Sequence, residues 1–393
     1  MDVRPGYKQT EVGVIPEEWE IRTIGQMFRL INGCAFKPED WKQSGTPIIR
    51  IQNLDDPSAP FNFSQTPVPQ RNRVESGDLL FAWSGTIGTS FGARVWEGPS
   101  GVLNQHIFKV LMDEQQITSP FSLLVFSRVE DDIAKQAHGF KASFVHVKKS
   151  DLVKVHLPIP PLPEQRAIAT ALSDVRALLG GLDRLLAKKR DLKQAAMQQL
   201  MTGQTRLPGF HGEWEWKRLG DVVDVRKGQL ITGNTKGVGE IPVVAGGKQP
   251  AYYHNVANRQ GRTVTISASG ASAGYVAKYS TPIFASDCST IGESEHYCLG
   301  FVFYQLVLKQ QLIYKAQTGG AQPHIHPVDV MPIEVAVPPL AEQNAIAAVL
   351  TDMDAELAAL EGRRDKTRDL KQAMMQELLT GKTRLVPAGG ADA

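Results

Sequence analysis

The stretch DLKQAAMQQLMTGQTRL, residues 191–207, returns as DLKQAMMQELLTGKTRL, residues 369–385. The repeat is wider than these words. Residues 160–207 align without a gap on residues 338–385, an offset of 178, and 28 of the 48 positions are identical. Self-similarity at a fixed offset points to a duplicated unit. Two copies are too few for a solenoid, so the expectation is a pseudo-two-fold.

Each copy reads as one long helix. Prolines precede it, in IPPLPEQ and VPPLAEQ, and break the incoming strand. Pro163 fits the first helical position, where its missing N–H costs nothing. Glu164 and Glu342 fall in the first turn, where the helix dipole favours them. Gly203 and Gly381 are natural left-handed caps. About 40 residues at 1.5 Å each give a helix of roughly 60 Å.

Ile168, Leu172, Val175, Leu179, Leu182 and Leu186 step by four and three. Ile346, Leu350, Met353, Leu357 and Leu360 hold the equivalent positions. That is a heptad seam and needs a partner helix. The nearest partner is the other copy, antiparallel because a whole domain connects them. Gly180, Gly181 and Gly362 interrupt the helices and weaken them locally.

The segments between differ, but their edges rhyme. PEEWEIRTIG, residues 16–25, matches HGEWEWKRLG, residues 211–220, and Gly33 corresponds to Gly228. GDLLFAWSGTIG resembles GRTVTISASGASAG, each a strand pattern ending in Ser-Gly. VHVKKSDLVKVHLPIP parallels HIHPVDVMPIEVAVP, with Asp151 matching Asp329. Short β-rich runs with Gly and Pro turns indicate α+β domains. The expected order is a domain over 1–159, a helical spacer over 160–207, a domain over 208–337, a spacer over 338–385 and a polar tail over 386–393. A coiled coil fixing the distance between two related heads suits a bipartite, asymmetric DNA site, since half-site spacing follows from the protein frame.

The remaining composition bounds the class. The chain has 393 residues, 42% hydrophobic and 21% charged, an ordinary globular composition. Cys34, Cys288 and Cys298 show no CxxC spacing, which suits a reducing cytosol. No leader-like apolar region opens the sequence, and no apolar run approaches the roughly 20 residues of a membrane span. LLTGKT, residues 378–383, lacks the first glycine of a P-loop, that position being Gln376. No Asn/Asp-Pro-Pro-aromatic loop, zinc spacing or Ser-His-Asp set is evident, so a reader is expected rather than a catalyst. The rival readings are a self-contained enzyme, recognised by an acidic cleft holding magnesium, and a scaffold whose heads bind proteins.

TEVGVIPEEWE, TPIIRIQNL, NQHIF, IPVVAGGKQPAYYHN, PPLPEQ, LKQAAMQQLMTG and LKQAMMQELLTG together resemble the specificity (S) subunit of Type I restriction–modification systems. The resemblance covers essentially the whole chain. It implies two target-recognition domains, each reading one part of a split DNA target. It also implies two helices forming an antiparallel coiled coil that docks two methyltransferase subunits, which use S-adenosylmethionine. Restriction subunits, using ATP and magnesium, would join that core. No cofactor is expected in this chain, and no membrane.

Base edges are read by matched side chains, Arg to guanine and Asn or Gln to adenine. The candidates in the first domain are Arg50, Gln52, Asn53, Ser84, Thr86, Asn104, Gln105 and His106. In the second they are Lys248, Tyr253, His254, Asn255, Ser269, Ser272, Gln322 and His324. Gly85 and Gly270 would let backbone approach phosphate. Lys141, Lys148, Lys149, Lys278 and Lys315 are candidate phosphate contacts. Residues 1–159 carry 17 basic and 18 acidic groups, and residues 208–337 carry 11 and 10. Phosphate neutralisation supplies much of DNA affinity, so the chain alone is expected to bind weakly. For methyltransferase docking the candidates are Gln165, Lys188, Arg190, Gln194 and Gln198, all taken as exposed, with their second-copy matches.

Overall fold

The computed structural model describes residues 3–56, 58–137, 144–231, 239–319 and 322–386. Lys141 and most of the tail expected at 386–393 lie outside the described residues. The chain divides into two compact units, residues 1–181 with 365–393, and residues 182–364. Each unit therefore holds one α+β domain, the start of one long helix and the end of the other.

The long helices are α1, Leu162–Met201, and α2, Leu340–Leu378. Helix α1 begins one residue before Pro163. Gly203 and Gly381 follow the helices with φ of 73° and 70°, the left-handed geometry that favours glycine. In the first unit Ile168 and Leu172, near the start of α1, share a core with Leu378 and Leu379 at the end of α2. In the second, Leu200 and Met201 near the end of α1 share a core with Ile346 and Leu350 near the start of α2. Both junctions are antiparallel. Of the expected seam, Ile168, Leu172, Leu182, Leu186, Ile346 and Leu350 are buried. Val175, Leu179, Met353, Leu357 and Leu360 are half-buried.

The two domains share one strand order. The first has an antiparallel four-stranded sheet ordered Gly92–Val95, Leu79–Ala82, Ile107–Met112, Phe28–Asn32. Beside it a second sheet joins Thr46–Ile49 parallel to Gly101–Leu103. The second domain repeats this with Val276–Tyr279, Thr263–Ser267, Cys288–Ile291 and Arg226–Lys227, and with Ile241–Val244 parallel to Phe284–Ala285. In each domain an entering strand pairs with the strand leading into the long helix, Glu20–Thr23 with His156–Ile159 and Glu215–Arg218 with Glu334–Val337.

A buried carboxylate ties domain to helices in each unit. Glu164 accepts from Trp19 Nε1 at 2.9 Å and Arg384 Nε at 2.6 Å. Glu342 accepts from Trp214 Nε1 at 3.2 Å and from Arg206 Nε and a second guanidinium nitrogen at 2.5 and 2.6 Å. Glu164 is 1% exposed and Glu342 0%, so these side chains do more than favour the helix dipole. Their neighbour Gln165 is also buried. It accepts from Thr118 N and donates to Pro160 O, both at 2.9 Å. Its expected exposure as a docking residue is therefore corrected: its amide is consumed inside the first unit. Gln343 is buried likewise, accepting from Cys298 N at 2.9 Å.

Candidate nucleic-acid interface

The geometry centres on the loop that follows the parallel strand pair in each domain. Gly33 N donates to Ile107 O and Gly228 N to Cys288 O, at 3.0 and 2.8 Å. A Cβ on either glycine would run into backbone carbonyl, of Asn104 or of Ser286. Only glycine fits there. Asn104 N donates to Ile49 O as Ser286 N does to Val244 O. The two loops therefore correspond, with Gln105 and His106 in the first domain standing where Asp287 stands in the second.

The Ser-Gly turns also correspond. Ser84 pairs across the sheet with His146, and Ser269 forms a bridge with His324. In the first domain the strand pair places an aromatic cluster at this end. Trp83 lies 4.6 Å from the His146 ring, 5.2 Å from His106 and 5.8 Å from Phe108, centroid to centroid. Its Nε1 donates to Gln105 O at 3.1 Å. Burial, then the neighbouring His146, holds His106 below the ordinary imidazole pKa. Gln105 Oε1 and His106 Nδ1 are buried with no hydrogen-bond partner among the described residues.

In the second domain the same end is acidic. Ser269 Oγ donates to Asp287, and Ala268 N donates to Asp287 O at 3.1 Å. His324 and His326 lie with rings parallel, 6.3 Å apart. Among the described residues no group of three His, Cys, Asp or Glu side chains could hold a metal ion. Burial pushes the Cys288 thiol up to about 12, which leaves it unreactive.

Ser84, Asn104, Gln105 and His106 thus come together. Thr86 is half-buried two residues on from Ser84, its N–H bonded to Ser90 Oγ at 2.7 Å. Gly85 is buried without positive φ, whereas Gly270 has φ of 75° and open space around it. Arg50 lies over Trp41 at 4.7 Å and donates to Asn62 Oδ1 at 3.0 Å. Asn53 is fully buried, accepting from Arg50 N at 3.0 Å and donating to Ala59 O at 3.0 Å. Its amide holds a turn. Gln52 is exposed beside it.

In the second domain Ser269, Gly270 and His324 gather around Asp287, with Gln322 exposed nearby in sequence. Lys248 lies 5.4 Å over the Tyr275 ring, in the turn that begins at Ser272. His254 is buried, its Nδ1 accepting from Val256 N at 3.0 Å, while Tyr253 and Asn255 flank it exposed. Lys278 does not join this group; it lies 5.0 Å over Phe303. Lys315 and Lys148 are exposed on their own elements. Lys149 donates to Leu30 O at 2.7 Å and lines a depression of about 510 Å³ with Arg29, Asn32 and Arg71.

Sequence reasoning missed Trp83, His146, Asp287, Arg29 and Arg71. His146 could have been found, because the offset of 178 places it on His324. Asp287 could not, because its loop is one residue shorter than the first domain's and no ungapped match reaches it.

This architecture, two domains of one strand order on a shared helical frame, is that of a known class. The Type I restriction modification DNA specificity domain model matches residues 16–184 and 211–367, and the chain belongs to this family. As such it is the non-catalytic DNA-recognition component, the specificity subunit, of a Type I system. It is 24% identical over 417 residues to the Type I restriction enzyme MjaVIII specificity subunit of Methanocaldococcus jannaschii, covering 94% of each chain. It is 24% identical over 196 residues to the EcoBI specificity subunit of Escherichia coli, covering 48% of this chain and 40% of that one. In fold it matches the Type I S subunit of M. genitalium with a TM-score of 0.64 at 16% identity, over 96% of this chain and 98% of the other. The HsdS subunit of Thermoanaerobacter tengcongensis matches with a TM-score of 0.50 at 19% identity, over 94% and 98%. No described helix is long and apolar enough to cross a membrane.

Proposed function

We propose that the chain reads a bipartite, asymmetric DNA target, one part with residues 1–159 and the other with residues 208–337. The helical segments 160–207 and 338–385 set the spacing and dock two methyltransferase subunits, with restriction subunits joining through that core. S-adenosylmethionine would then be held by the methyltransferases, and ATP with magnesium by the restriction subunits. The working compartment is the cytoplasm.

One observation carries this reading. The two domains repeat strand order, glycine contact and Ser-His pairing, yet end in different chemistry, Gln105 and His106 against Asp287. A carboxylate accepts from cytosine N4 or an adenine amino group, whereas a glutamine amide can pair bidentately with adenine. The readers in the first domain are Ser84, Thr86, Asn104, Gln105 and His106, with Arg50 and Gln52 beside them and Asn53 as a positioning residue. In the second they are Asp287, Ser269, Ser272, Gln322 and His324, with Lys248, Tyr253, His254 and Asn255. Lys148, Lys149, Arg29, Arg71, Lys278 and Lys315 contact phosphates and set register without reading sequence. The methyltransferases complete the clamp, because neither domain is basic in sum.

The test is long-read detection of methylated adenines in cells co-expressing the chain with the methyltransferase subunit of its own system. A split, asymmetric motif is expected. A continuous or palindromic motif would contradict the two-reader arrangement.

A further inference from the structure

The strand Phe144–His146 pairs antiparallel with Ser84–Thr86, and the two form a ribbon of their own. The ribbon lies at the end of the first domain that carries His106, because Trp83 meets both the His146 and the His106 rings. Alternate residues of a strand point to opposite faces. Val145 and Val147 pack against the domain core, so Phe144 and His146 take the outer face. Phe144 stands directly across from Thr86, and His146 from Ser84. Direct cross-strand neighbours share a face. Phe144 therefore stands among the candidate readers.

Its chemistry differs from theirs. The neighbours on this face are hydroxyls and an imidazole, whereas Phe144 is a bare ring. It is 61% exposed, the most of any described large apolar residue in the first domain. The repeat offset of 178 places Gln322 where Phe144 stands, just as it places His324 on His146. Gln322 is exposed too. One position thus presents an amide in the second domain and a phenyl ring in the first.

Both are base-reading chemistries. A glutamine amide pairs with adenine N6 and N7, and a phenylalanine ring packs on the C5-methyl of thymine. The major groove admits a two-stranded ribbon, and the other groups its base edges present there are hydrogen-bond donors and acceptors. A thymine methyl is the one group among them that an exposed ring can bury.

We propose that Phe144 packs against the C5-methyl of a thymine in the part of the target read by residues 1–159, and so makes that part require an A·T pair in one orientation. This rests on the reading that residues 1–159 contact DNA. Thr86 and His146 beside the ring supply polar contacts to the neighbouring base edges.

The test uses the full chain in complex with its methyltransferase subunits and duplexes carrying the mapped target. One thymine at a time is replaced by deoxyuridine, which pairs in the same way and lacks only the methyl. At one thymine of the first part the replacement should weaken binding about fourfold, the worth of one buried methyl-sized group. Phe144→Ala should bind the thymine duplex more weakly by a similar factor and no longer distinguish the two duplexes. Phe144→Leu should keep a preference for thymine. Replacements in the second part should have the same effect whichever residue stands at 144. If the wild type tolerates uracil throughout the first part, or if Phe144→Ala keeps the preference, this inference fails and the two-part reading stands. If the mapped target is not split, the two-part reading fails and takes this inference with it.

Discussion

The two units hold their parts together in the same way and end in different ways. Trp19, Glu164 and Arg384 in the first reappear as Trp214, Glu342 and Arg206 in the second, with the same donors on the same carboxylate. At the strand ends the correspondence breaks. A tryptophan–histidine cluster with Gln105 stands in one unit, and a carboxylate bonded to a serine stands in the other. The first set fixes a frame, where any change leaves a buried charge or indole unpaired. On the proposed reading the second set faces a partner that can differ from one unit to the other. A chain built this way can change what it reads without changing how it is assembled.

The largest effect should come from the frame. Replacing Glu342 by alanine removes the carboxylate shared by Arg206 and the Trp214 indole, leaving Arg206 only the Gly212 and His211 carbonyls, and should destabilise the second unit. Glu164→Ala should cost less, because Arg384 keeps Glu18 at 3.0 Å. Urea unfolding of the two variants checks the order. Equal losses would mean that Glu18 contributes nothing.

Glu130 separates the units next. It is buried in the first unit, accepts from Ala93 N at 2.5 Å, and burial pushes its carboxyl up to about 7. The folded state keeps this proton to a higher pH than the unfolded chain does. The protonated form's stabilisation is full below about pH 4.5 and is lost as the pH rises through about 7, a swing of about 3 kcal/mol. Glu130→Gln should flatten the profile across that window. An unchanged profile would show that the carboxyl is not buried in solution.

Substitutions at the reading ends should be smaller and one-sided. Asp287→Asn should cost about 1–3 kcal/mol for the cognate site and alter only the second half of the target, as Gln105→Ala should alter only the first. Binding to site variants, with the methyltransferase present, measures this. A loss shared by both halves would return these residues to the frame. Least of all, Gly181→Ala and Gly362→Ala should each stabilise by about 1 kcal/mol. Both lie inside helices with nothing near a Cβ position, so neither is required by a close approach.

The frame was legible because it repeats. The heptads, the capping glycines and the match of PEEWE to HGEWE all survive without a gap, and they led to both helices and to both tryptophans. Their bonding was not legible. In sequence Glu164 reads only as a first-turn acid favoured by the helix dipole, and Gln165 as an exposed contact, because nothing in a helical period shows that a neighbouring domain covers its first turn. The reading ends were half legible. NQHIF and the Ser-Gly turns marked the loops on which the proposed reading rests, but Ser84 meets His146 and Ser269 meets Asp287 only through the sheets. Asn53 has the side chain of an adenine reader, but it is buried and the turn it caps takes its oxygen and one of its N–H groups.

The most direct measurement exchanges residues 1–159 for the corresponding segment of another specificity subunit and repeats the adenine methylation map with the same methyltransferase. The account predicts a new first half beside an unchanged second half at the same spacing. A motif that changes in both halves, or in neither, would contradict it.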